Sequence, residues 1–220
     1  MRTLAELFKS GQKRQYKKGQ VLMHQGDTLS NLFYIERGFV KIYNILESGD
    51  ERILVLMGPG DAFPLANALF RSDYELKYFY ETMTEVKAVV VEREKLAAKL
   101  SGNHQTLQVL LEYITRTNRQ MVERLEVLEN KSADLKIAKT LPYLIEKAGT
   151  KTSDKKFKLK LKLTHQDIAN MTGLTRETTS IEIKKLERAG VIKQSAAHML
   201  INLESLPDAW GQLETAGKVD

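Results

Sequence analysis

THQDIANMTGLTRETTSIEIKKLERAGVI, residues 164–192, carries two helix starts within a dozen positions. Thr164 followed by Asp167 has the spacing of a capping box, in which each side chain accepts from the other residue's backbone N–H. It predicts a short helix over Gln166 to Met171 that ends at Thr172-Gly173. Thr175 caps a second helix that runs to Ala189, with Gly190 as its C-cap. Thr178, Thr179, Ile181 and Ile183 are β-branched and disfavoured in helices, so caps and periodicity must outweigh propensity here. Ile168, Leu174, Ile183 and Leu186 give the two helices a shared apolar core, Ala169 is small where they cross, and Gly173 permits the turn. VIKQ, a turn at Ser195 to Ala197, and HMLINL then form a hairpin, which makes the whole a winged helix-turn-helix.

Arg176, Glu177, Ser180, Ile181 and Lys184 lie on the face turned away from that core. A helix in this position reads base edges with its N-terminal residues. Arg176 suits the acceptors of guanine and Glu177 a cytosine amine, and Ser180 and Ile181 complete the base-reading set. Lys184, Lys185 and Arg188, with the cap hydroxyls of Thr164 and Thr175, are assigned to phosphates. Ile181 can donate nothing but can pack on a thymine methyl, which predicts a preference for A·T at the step it faces. The competing reading is an ordinary solvated helix. Agreement among caps, core, turn and hairpin favours double-stranded DNA as the partner.

Upstream, FKLKLKL (157–163) alternates apolar residues with Lys158, Lys160 and Lys162 and predicts a strand. Residues 131–163 hold ten lysines against three acids in a chain of formal charge +6. Such a run is often no more than a solvated face, but beside a reading helix it favours a polyanion. Ser132 is placed to cap a helix over Ala133 to Lys147, with Pro142 inside it, and 130–132 form a boundary and candidate hinge. From Gln105 to Asn130, Leu107, Leu111, Ile114, Asn118, Met121, Leu125 and Leu128 recur at alternating spacings of four and three. This stripe is either a core-facing helix or a dimer seam. Its narrowness, the charged flanks Glu112, Arg116, Arg119 and Arg124, and Asn118 at an a position favour a parallel homodimer.

Residues 14–93 are rich in β-branched and aromatic residues punctuated by glycines, the pattern of short strands in a sandwich or barrel, preceded by a short helix at Leu4 to Lys9. The chain is therefore α+β, with an N-terminal antiparallel β-roll over 1–104, a dimerisation helix over 105–131 and a winged helix-turn-helix domain over 132–220. Cysteine is absent, and His24, His104, His165 and His198 lie far apart, so no metal site or cofactor is expected. No run approaches the roughly 20 apolar residues of a membrane span, and the segment MRTLAELFKSG lacks a signal peptide's apolar core. A cytoplasmic protein with no membrane partner is expected.

Residues 164–192 resemble the helix-turn-helix of the Crp/Fnr family of bacterial transcription regulators, and KKGQVLMHQGDTLSNLFYIERGFVKIY (17–43) resembles the opening of that family's cyclic-nucleotide-binding-type β-roll. The resemblance implies a roll of the double-stranded β-helix type, a homodimer on a palindromic site in adjacent major grooves, and RNA polymerase as a candidate partner. Family members often carry arginine at the place of Ile181. Those that bind a cyclic nucleotide carry Gly-Glu-x-Leu after a Gly-Asp turn and an Arg-Ser/Thr-Ala beyond it. Here GPGDAFPLANALF (58–70) puts Pro64 and Leu65 at the first two places, and the arginine's place falls in Tyr74-Glu75-Leu76. Met121 and Val122 stand where nucleotide binders place hydroxyls. Cyclic-nucleotide control is not expected unless Arg71 reaches the pocket instead. Phe63, Leu65, Tyr78, Tyr80, Met121 and Val122, with Phe79, either line a pocket for an apolar or aromatic effector or are core. A second functional reading makes the chain a ligand-binding module whose helix-turn-helix serves protein contacts. Catalysis is not expected, because the strand-rich stretch 14–93 holds His24 as its only histidine and no nucleophile or paired-carboxylate spacing stands out.

Overall fold

A computed structural model describes residues 3–65, 75–100, 104–195 and 198–206. Arg71 and Tyr74, raised above for the sensor, and the turn residues Ala196 and Ala197 lie outside the described residues. The chain divides into two compact units, Met1–Arg119 and Gln120–Asp220.

In the first unit, α1 (Leu4–Phe8) precedes β1 (Gln12–Tyr16), β2 (Val21–Met23), β3 (Asn31–Arg37), β4 (Val40–Ile45), β5 (Glu51–Met57), β6 (Ala62–Phe63), β7 (Phe79–Thr82) and β8 (Val86–Glu92). These pair into two four-stranded sheets, β1-β8-β3-β6 and β2-β7-β4-β5. Every pairing is antiparallel, as a β-roll requires. Leu32, Ile35, Val40, Val55, Phe63 and Val90 belong to one core built from both sheets. The β3–β4 turn depends on glycine at Gly38, whose φ is 92° and where an added Cβ would lie 2.2 Å from the Glu85 carbonyl oxygen.

Helix α2 (Arg93–Leu100) and then α3 (His104–Glu129) follow. Tyr113 of α3 is part of the roll's core: its hydroxyl donates to the Ala62 carbonyl at 2.8 Å and accepts the Ala62 N–H at 3.0 Å. Burial pushes this phenol well above the usual tyrosine range, aided by the Asp61 carboxylate. Helix α3 is thereby fixed to β6 through both backbone polar groups of one residue.

The second unit holds the C-terminal part of α3, α4 (Ala133–Ala148), β9 (Gly149–Ser153), β10 (Lys156–Leu159), α5 (His165–Thr172), α6 (Arg176–Arg188), β11 (Ile192–Gln194) and β12 (Met199–Asn202), closed by a 3₁₀ turn at Leu203–Ser205. Its strands form one antiparallel sheet, β11-β12-β10-β9. Ser132 occupies the N-cap of α4 in extended backbone, but its side chain makes no capping bond. Asp134 accepts the Leu135 N–H instead. FKLKLKL is a strand only as far as Leu159, because its neighbours β9 and β12 offer no partners beyond that register. Leu161 and Leu163 leave the ladder yet remain buried, so the alternation reports burial more faithfully than pairing. Among the described residues, no helix is long and apolar enough to cross a membrane.

Candidate nucleic-acid interface

The turn between α5 and α6 is built by local hydrogen bonds. Thr164 Oγ1 accepts the Asp167 N–H at 3.0 Å and the Asp167 carboxylate accepts the Thr164 N–H at 2.8 Å, completing the capping box. Helix α5 ends in a left-handed Gly173 (φ 71°) whose N–H donates to the Ala169 carbonyl at 2.8 Å. Two residues on, Thr175 Oγ1 accepts the Thr178 N–H at 3.1 Å and opens α6. At the far end Ala189 is the C-cap, and Gly190, expected there, stands one residue beyond with φ 74°.

Helix α6 packs on α5, α4 and β11 and buries Thr179, Ile183 and Leu186. Ile168 and Ala169 of α5 are buried opposite, and Leu174 in the turn is half-buried. This leaves Arg176, Glu177, Ile181, Lys184 and Arg188 exposed, with Ile181 at 56%. Ile181 is thus an exposed apolar side chain among charged neighbours on this face. Lys185, also exposed, pairs with the buried Glu182 at 2.7 Å.

Ser180 is less free than the exposed face around it. Its hydroxyl donates to the Arg176 carbonyl at 2.9 Å and lies 2.8 Å from His165 Nδ1. His165 Nε2 in turn lies 3.3 Å from the Gln194 amide oxygen on β11. A half-buried histidine thus joins α5, α6 and β11. The sequence did not mark His165 because α5 was expected to begin at Gln166, which left this side chain in a loop.

The two faces of α3 differ sharply. Leu111 (62% exposed), Asn118, Met121 and Leu125 (61% exposed) are open, while Leu107, Ile114 and Leu128 are half-buried. Leu110 and Tyr113 face inward, and so do Gln120 and Arg124. Arg124, expected as a solvated flank of the seam, is 6% exposed: its Nη2 donates to the Met171 carbonyl at 2.8 Å and its guanidinium lies 4.7 Å from the centre of the Tyr143 ring. Glu112, Arg116 and Arg119 are exposed.

The residues considered for an effector fall into two groups. Phe63, Leu65 and Tyr80 are core, with Phe63 stacked between Phe33 (5.2 Å) and Tyr80 (5.4 Å). Tyr78, Met121 and Val122 are exposed. Where nucleotide-binding relatives place an arginine, Glu75 bridges to Thr28 and Leu76 is buried.

Residues 13–103 match the cyclic nucleotide-binding domain and residues 136–208 the Crp-like helix-turn-helix domain. The chain belongs to the Crp/Fnr family of transcription regulators. Among its relatives is the transcriptional activator protein anr of Pseudomonas aeruginosa, 28% identical over 97% of this chain and 86% of that protein. The CRP-like cAMP-activated global transcriptional regulator of Mycobacterium tuberculosis is 27% identical over 90% of this chain and 88% of its own. In fold, the Crp/Fnr chain is similar to FixK2 from Bradyrhizobium japonicum, with a TM-score of 0.77 at 18% identity over 96% of this chain and 98% of that one. The named relatives are transcription regulators, not enzymes.

Proposed function

We propose that this Crp/Fnr regulator is a cytoplasmic homodimer that binds a palindromic site in double-stranded DNA, with α6 of each protomer in a major groove. The observation that carries this reading is the outward face of α6, where Arg176, Glu177 and the 56% exposed Ile181 stand together beside Lys184 and Arg188. Caps at both helix starts and the glycine turn support that face from within the domain. The open stripe of Leu111, Met121 and Leu125 supports self-association, and Asn118 among them supports a two-stranded parallel seam. RNA polymerase is a candidate protein partner of such a DNA-bound dimer.

Cyclic-nucleotide control is not part of this reading. Pro64 has no amide N–H to offer a phosphate, Leu65 is a buried apolar side chain, and the stacked Phe33–Phe63–Tyr80 rings occupy the roll's interior beside them. A phosphate there would meet no cation among the described residues at 75–76.

A gel-shift titration with duplex fragments tests the reading. The wild-type protein is expected to shift specific duplex with an affinity that falls steeply as salt rises. Arg176→Ala should weaken each half-site by about 1–3 kcal/mol, the value of one bidentate base contact. Absence of binding even at low salt would leave a ligand-binding module with protein contacts as the surviving alternative.

A further inference from the structure

Arg124 is a charged side chain where an apolar one would fill the space. Taking a guanidinium out of water is costly unless its donors are satisfied, and burial lowers the pKa of this one. Its hydrogen bond goes to the carbonyl of Met171 in the last turn of α5, where the helix runs out of N–H partners and carries the negative end of its dipole. The Tyr143 ring of α4 supports the guanidinium from one face. One turn earlier on α3, Gln120 donates to Glu146 of α4. Helix α3 is therefore pinned to both helices that support α6.

The next residue in sequence, Leu125, faces the open stripe. From Met171, only Thr172, Gly173, Leu174 and Thr175 separate the pinned carbonyl from Arg176. A short, hydrogen-bonded path thus runs from the stripe to the first reading residue.

We propose that Arg124 is a positioning residue that fixes the half-site spacing the dimer reads. This rests on the reading of the protein as a DNA-binding homodimer. By tying α5 to α3, Arg124 makes the place of each reading helix a function of the seam, so that two half-sites must be one set distance apart. Without it, each helix-turn-helix keeps its base contacts but loses a fixed reference to its twin.

The experiment measures binding to duplexes whose two half-sites are separated by stepwise-varied spacers, alongside a duplex with a single half-site. Wild-type protein should prefer one spacing sharply. Arg124→Met fills the slot without charge; it should remain dimeric and bind the single half-site normally, while the preferred-to-neighbouring spacing ratio falls at least about tenfold, the scale of one charge-assisted hydrogen bond. Arg124→Lys, which keeps a donor for Met171, should recover part of that ratio. Tyr143→Leu leaves α3 untouched and should lower it in the same direction, so the test survives if one variant fails to fold. Unchanged ratios in Arg124→Met and Tyr143→Leu would overturn the inference and reduce Arg124 to packing. Failure of the wild-type protein to bind either duplex would instead overturn the underlying reading.

Discussion

Thr179 lies at the centre of the buried face of α6, and among the described residues its hydroxyl oxygen has no hydrogen-bond partner. Other helical threonines behave differently: Thr172 donates to the Ile168 carbonyl at 2.8 Å and Thr140 to the Lys136 carbonyl at 2.7 Å. A buried hydroxyl with no partner carries a desolvation cost of roughly 1–3 kcal/mol, and valine has the same shape without the polar atom. Thr179→Val should therefore raise stability by about 1 kcal/mol in a denaturant titration with an unchanged slope. A lower midpoint would show that the hydroxyl is satisfied. At this scale the sequence was most legible where chemistry is local. Thr164, Asp167, Thr175 and Gly173 act on residues three or four positions away, so their spacing is their mechanism. His165 and Arg124 were illegible because their partners, Ser180, Gln194, Met171 and Tyr143, are distant in sequence.

Helix α3 shows what periodicity can and cannot give. The four-three spacing runs through the exposed Leu111, Met121 and Leu125, but also through Leu107 and Ile114, which pack against the roll's core. It did not show that the opposite face would bury Gln120 and Arg124, because composition alone sends such residues to solvent. If the stripe is the dimer seam, Leu125→Glu places two like charges across it and removes an apolar contact worth about 1.5–3 kcal/mol from each protomer. Sedimentation velocity should then report a monomer at concentrations where the wild-type protein is a dimer, with the dissociation constant raised at least roughly a hundredfold. A variant that still sediments as a dimer would place the interface elsewhere.

Across the molecule, the two units differed in how far they could be read. The β-roll was recognisable as many short strands with glycine turns, but its pairing was not, since β1 meets β8 from Gln12↔Val90 to Tyr16↔Val86 across most of the unit. Non-local ladders leave no short-range spacing to detect. Resemblance supplied that architecture, and Pro64 and Leu65 after the Gly60-Asp61 turn marked where the sequence differs from the pattern of nucleotide-binding family members. The central claim is that two copies of α6 read an inverted repeat through Arg176, Glu177 and Ile181. Selection of binding sites from random duplexes tests it most directly. The expected outcome is an inverted repeat that keeps a G·C pair opposite Arg176 and Glu177 and prefers A·T at the step facing Ile181, a preference lost in Ile181→Ala. A firm guanine preference at that step, unchanged in Ile181→Ala, or sites without two-fold symmetry, would contradict it.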